Sequence, residues 1–333
     1  MRSRGLGTSG IPVSEIGLGL AAIGRPGYIT LGRDRDLGVD RAPEALRRQA
    51  HELLDAAYAL GVRYVDAARS YGRAEEFLAS WLEKRRFPPG HVTVGSKWGY
   101  RYTADWRVGA EVNEVKDHSL ANLRRQLAES RALLGDNLRL YQIHSATLES
   151  GVLEDREVLG ELARLGRDGL AIGLTVSGPY QAAVIRNALE VRVDGISPFA
   201  SVQATWNLFE TSAGDALAEA KSAGWGVLVK ETLANGRLVN GRPVGSAWPE
   251  PKAGRLESVS ARHGCSVDAI AIAAALAQPW ADVVLSGAVT PGQLASNVTA
   301  VDVAFSRDDL AELATLAESP DTYWKTRAAL PWT

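Results

Sequence analysis

Residues 61–72 read GVRYVDAARSYG, a short apolar run that ends on Asp66, with Tyr71 in the loop beyond it. The arrangement returns twice: VTVGSKW at 92–98 carries Lys97 at its end, and LRLYQIHS at 138–145 carries His144. Each run has the length and the apolar or β-branched content of a buried strand, and each is followed by a long helical pattern. If the three strands are parallel neighbours, Asp66, Tyr71, Lys97 and His144 meet at one end of the sheet. A free phenol titrates near pH ~10. A lysine neutralised by an aspartate, with a histidine beside it, is one way to bring the proton of Tyr71 into use nearer neutrality.

Outward from these runs the alternation continues. Strand-like segments recur at EIGLGL (15–20), LAIGLTV (170–176), ASVQATW (200–206), GVLVK (226–230) and ADVVLSG (281–287). Helical patterns separate them, among them 43–60, 114–135 and 156–168. Eight strands alternating with eight helical units predict an α/β fold, a (β/α)8 TIM barrel, with residues 1–333 forming a single domain. Gly61, Gly135, Gly169 and Gly224 stand where helices hand over to strands, and a left-handed glycine stops a helix without a Cβ clash. Those glycines mark the bottom of the barrel, so the polar residues lie at the top. Two segments fall outside the repeat: a Gly- and charge-rich insertion after the first strand, 24–42, and a C-terminal extension from 306 read as one extra helix and a tail. Tyr28, Tyr323, Trp324 and Trp332 in these segments are candidate pocket walls.

Hydrophobic residues make up 46% and charged residues 23% of the 333, which is ordinary for a globular chain, and no apolar run is long enough to cross a bilayer. A net charge of -2 argues against a polyanion-binding surface, so nucleic acid is not an expected partner. The single cysteine, Cys265, has no internal disulfide partner, and the first residues lack a signal-like apolar stretch, which makes the cytoplasm the expected compartment. Gly17 to Ala22 match the G-x-G-x-x-A dinucleotide fingerprint, but Gly24, Pro26 and Gly27 forbid the helix that such a motif requires. They are read as tight backbone turns. His51, His91, His118 and His263 have no metal-binding spacing and are read as surface residues; no metal is expected.

The segments GVRYVDAARSYG, VTVGSKWG, LYQIHS, AIGLTVSG, SVQATWNL, LANGRL and SGAVTPGQLASN, in this order, make the chain similar to the aldo-keto reductase superfamily. The resemblance implies an oxidoreductase that interconverts a small carbonyl compound and its alcohol, with a nicotinamide cofactor, NADPH or else NADH, stretched across the strand ends. It implies Tyr71 as general acid, Lys97 lowering its pKa, Asp66 holding the ammonium, and His144 orienting the carbonyl. Thr175 and Gln203 would hold the carboxamide, although Val176 replaces an asparagine common in the family. Lys230 stands where many members stack a tyrosine on the nicotinamide. Leu233, Asn235 and Gly236 on one loop, and Gly287, Thr290, Gln293 and Asn297 on the last, would hold phosphate and adenine; Val289 replaces a cation frequent in NADPH-selective members. Trp98, Trp106 and Tyr28 are expected at the substrate. A nicotinamide-binding regulatory subunit on the same barrel is the rival reading. Substrate identity and oligomeric state stay open.

Overall fold

The computed structural model describes residues 1–88, 90–239 and 250–333. Eight parallel strands close into a barrel: β1 (Ile16–Gly19), β2 (Tyr64–Asp66), β3 (Thr93–Trp98), β4 (Leu138–Ala146), β5 (Ala171–Val176), β6 (Ser201–Thr205), β7 (Gly226–Lys230) and β8 (Val283–Ser286). They lie in sequence order around the wall, and the ring shuts where Ile16, Gly17 and Leu18 of β1 pair with Val284, Leu285 and Ser286 of β8. Both faces of every strand are covered, which is why the runs are almost continuously apolar. The surrounding helices include Pro43–Ala59, Ala74–Arg85, Leu120–Leu134, Arg156–Arg167, Gln181–Glu190, Gly214–Ser222 and Pro291–Val298.

The fingerprint-like glycines serve packing. A Cβ on Gly17 would stand 2.8 Å from Tyr64 Cδ1 and 2.9 Å from Leu285 Cδ2, so glycine there lets a buried tyrosine fill the barrel. The first helix after β1 is a short turn, Arg33–Leu37, inside the insertion.

Three elements depart from the sequence expectation. The pattern at 114–135 divides: Glu114–Lys116 pairs with Tyr100–Tyr102 as a hairpin, and the helix begins at Leu120, where Ser119 accepts from the Asn122 N–H. The tail contains a second helix, Pro320–Ala328, capped by Ser319 and led by a proline that fits the first turn. An N-terminal hairpin, Ser3–Gly5 with Pro12–Ser14, sends Leu6, Ile11 and Val13 against Tyr64, Leu228 and Val283 and closes the barrel floor.

Both extra segments cross the top. Tyr28 and Thr333 exchange backbone hydrogen bonds of 3.0 Å, joining insertion to tail. The Asn235 amide donates to the Ile29 carbonyl at 2.9 Å, and Gln293 Nε2 donates to Asp36 Oδ2 at 2.7 Å. The insertion therefore runs as a strap from the tail, over the loop after β7, to the helix after β8.

Candidate active site

Asp66, at the end of β2, and Lys97, on β3, point into the barrel mouth and form a direct ion pair, with side chains 3% and 1% exposed. Lys97 Nζ also donates to the Ala67 carbonyl at 2.9 Å. Asp66 Oδ1 accepts from Tyr64 Oη at 3.2 Å and from Gln203 Nε2 at 3.0 Å. A buried ion pair persists when its remaining hydrogen-bonding capacity is used, and these neighbours use it.

Tyr71 returns over this pair on the loop after β2. Its hydroxyl lies 3.5 Å from His144 Nε2 on β4, and the rings meet edge to face at 5.4 Å. Ser70 Oγ, 3.3 Å from His144 Nδ1, holds the other side of the imidazole. The Lys97 ammonium stands 4.8 Å from the centre of the Tyr71 ring. Burial, and then the charge of Asp66, push the Tyr71 phenol well above its ordinary value, against the opposing pull of Arg25. This differs from the expectation that Lys97 sets a lowered pKa: the ammonium is in contact with Asp66, whose charge offsets it. His144 is pushed well below its ordinary value by burial and by Lys97, Arg25, Lys230 and His118. At neutral pH the phenol keeps its proton and the imidazole is uncharged.

A cleft of about 750 Å³ extends from these residues across the strand ends. Tyr28, Thr175, Gln203, Lys230, Leu233, Asn235, Gly236, Gly287, Gln293 and Asn297 all line it. Several of the expected residues are not among those lining it, Lys97 included, which lies beneath Asp66 and Tyr71. Trp98 follows Lys97 directly on a strand, so it faces the opposite side and is fully buried, with its ring 5.7 Å from His118. Trp106 donates to the Arg41 carbonyl at 2.8 Å and packs on Phe77. The Thr290 hydroxyl caps its own helix by accepting from the Gln293 N–H. Tyr323 is buried against Asn207, and Trp324 is likewise absent from the lining, whereas Trp332 is part of it. Nor is His118 a free surface residue: its Nε2 hydrogen-bonds the His144 carbonyl at 2.9 Å.

Two ion pairs that sequence reading missed form the walls near Tyr71. Arg25 donates to Glu114 at 3.0 Å and lies against the rings of Tyr28, Tyr71 and Trp332. Glu231, next to Lys230, is gripped through both carboxylate oxygens by Arg327 from the tail helix. Only the adjacency of Lys230 and Glu231 at a strand end offered a signal.

The cleft suits a long polar ligand. Thr232 Oγ1 and Asn235 Oδ1 are buried there without a hydrogen-bond partner among the described residues, and Gly287 and Gly292 leave open space where a Cβ would stand. Thr175 Oγ1 accepts from the Ser145 N–H at 2.7 Å and keeps its proton to donate; Gln203 donates one amide N–H to Asp66 and keeps Oε1 to accept. One donor and one acceptor side by side match a carboxamide.

Residues 16–318 match the family model described as the aldo/keto reductase family. The NADH-specific methylglyoxal reductase of Escherichia coli K12 is 26% identical over 96% of this chain and 99% of its own length. An uncharacterized oxidoreductase, YqkF of Bacillus subtilis, is 31% identical over 50% of this chain, a match that spans 46% of that relative. Among solved structures, the holo form of aldo-keto reductase AKR11C1 from Bacillus halodurans superposes with a TM-score of 0.73 over 96% of this chain and 97% of its own, at 23% identity, a likeness of fold. Since the family match extends from the first barrel strand to beyond the last, the chain belongs to the aldo/keto reductase family.

Proposed function

We propose that this chain is an NAD(P)H-dependent reductase of aldehydes or ketones in which Tyr71 donates the proton to the carbonyl oxygen. The observation that carries the reading is a buried phenol 3.5 Å from a buried imidazole, beside the Asp66–Lys97 pair, both opening into the cleft across the strand ends. A carbonyl oxygen placed between them accepts from Tyr71 Oη and from His144 Nε2. As negative charge gathers on that oxygen it becomes far more basic than a phenolate, and the Tyr71 proton crosses. Arg25, with its guanidinium 5.2 Å from the centre of the phenol ring, then stabilises the phenolate that remains. When bound, the nicotinamide supplies the hydride. Thr175 and Gln203 would orient its carboxamide, and Asn235, Gly236 and Gly287 would line the way to its phosphates.

At the far end the segment from Gly287 to Asn297 contains no lysine or arginine, Arg35 of the insertion being the cation that lines the cleft there, and Gln293 donates to the carboxylate of Asp36. A carboxylate there accepts a ribose hydroxyl and repels a 2′-phosphate. This supports NADH as a working cofactor, beside the NADPH expected from the resemblance, and it agrees with the NADH specificity of the Escherichia coli relative. Tyr71→Phe tests the central role: turnover should fall by about 10²-fold or more, with cofactor affinity unchanged. Retained turnover, or lost cofactor binding, would remove Tyr71 from the proposed role.

A further inference from the structure

We propose that Lys230 makes this cleft discriminate between the two charge states of a nicotinamide ring, holding the neutral reduced form more tightly than the cationic oxidised form. The inference rests on the cofactor reading above and concerns a residue that this reading leaves without a task. Lys230 ends β7 and opens into the cleft beside Gln203, Tyr71 and His144. Its ammonium donates to Thr205 Oγ1 at 2.8 Å. A neutral hydroxyl does not cancel its charge.

The nearest carboxylate, Glu231, is 4.0 Å away and is already held by Arg327. The other two carboxylates at this end are likewise taken, Asp66 by Lys97 and Glu114 by Arg25. Among Lys230 and the charges that act on it, two anions, Glu231 and Asp66, therefore face three cations, Arg327, Lys97 and Lys230, while His144 and Tyr71 are neutral. The surplus charge is that of Lys230. Burial lowers its pKa to about 8; Glu231 and Asp66 oppose the shift, and Arg327 and Lys97 add to it. Its side chain is 16% exposed, so little solvent screens it from a ligand lying alongside. An oxidised ring adds a second positive charge to that space, and a reduced ring adds none. Reduced cofactor is then loaded preferentially and its oxidised product is released, which favours carbonyl reduction.

The test is binding, not turnover: NADH, NAD⁺, NADPH and NADP⁺ are each titrated against the intact protein by tryptophan fluorescence and calorimetry, at about pH 6.5 and about pH 9.5. For whichever pair binds, the ratio of oxidised to reduced Kd at the lower pH should be about tenfold larger in the wild type than in Lys230→Met. In the wild type the ratio should shrink at the higher pH. In Lys230→Arg, which stays charged, it should not. Equal ratios in wild type and Lys230→Met, or a wild-type ratio insensitive to pH, overturn the inference while leaving the cofactor reading intact. Failure of the wild type to bind any nucleotide overturns both. The wild-type pH series needs no variant, so a misfolded substitution does not protect the proposal.

Discussion

Arg327→Met removes the grip of the tail helix on Glu231 at the barrel mouth. Arg327 Nε donates to Glu231 Oε2 at 2.7 Å, and Nη2 donates to Oε1. Burial alone would raise the Glu231 carboxyl; Arg327, Lys230 and the hydrogen bonds outweigh it and bring it from the ordinary 4.5 to about 2. Because the folded value is depressed, the stabilisation is complete above the unfolded value and is lost as pH falls through about 2. At 1.36 kcal/mol per pH unit the gap corresponds to about 3 kcal/mol at pH 7. The carboxylate is 9% exposed, which keeps screening small. Burial opposes the shift, so without Arg327 a buried carboxylate keeps, among the described residues, only Lys230 and Thr205 beside it, and the loss should be at least of this order. It should appear first as local opening of Pro320–Ala328, because this pair, with Tyr323 against Asn207, ties that helix to the barrel. Hydrogen exchange followed by mass spectrometry should show amides of 320–333 exchanging about a hundredfold faster at pH 7, with the barrel strands little changed. A change below about threefold in the tail, or an equal change in β2 to β5, would refute the assigned strength of the pair.

Two further outcomes follow from the same geometry. Gly236 has φ +88° and a Cβ there would lie 2.7 Å from the Leu31 carbonyl, so Gly236→Ala should strain the strap, lower Tm by about 5 °C and weaken nucleotide binding; calorimetry showing an unchanged Tm would contradict the contact. His144 is held neutral by burial and by the cations around it, so kcat/KM for carbonyl reduction should show no step near pH 6.5, and a histidine-like step there would contradict that environment.

The four residues at the barrel mouth were legible because each needs only local information: an apolar run, a polar residue at its end, and the rule that parallel strands present those ends together. Where the reading failed, it neglected a local rule or met a long-range one. Trp98 was expected at the substrate although it adjoins Lys97, and strand alternation places neighbours on opposite faces. The same alternation sets Thr175 and Ser177 in the cleft, while Val176 between them is buried and absent from the lining, so the missing asparagine lies off that face. The helix expected from residue 114 ignored Asp117 and Ser119, whose side chains offer a capping alternative to the preceding turn. The Arg25–Glu114 and Arg327–Glu231 pairs join residues 89 and 96 apart, a separation at which local pattern does not name the partner. At the far end of the cleft, the Asp36 that accepts from Gln293 comes from an insertion 257 residues away and is equally invisible to local pattern.

The most direct test of the account follows the hydride itself. NADH and NADPH deuterated at C4 of the dihydronicotinamide would be incubated with the protein and a panel of short aldehydes and ketones, and the products read by mass spectrometry. The wild type should form an alcohol carrying one deuterium on the former carbonyl carbon, and Tyr71→Phe should form it at least about 10²-fold more slowly. Bound cofactor with no deuterium transferred to any carbonyl carbon in the panel would contradict it.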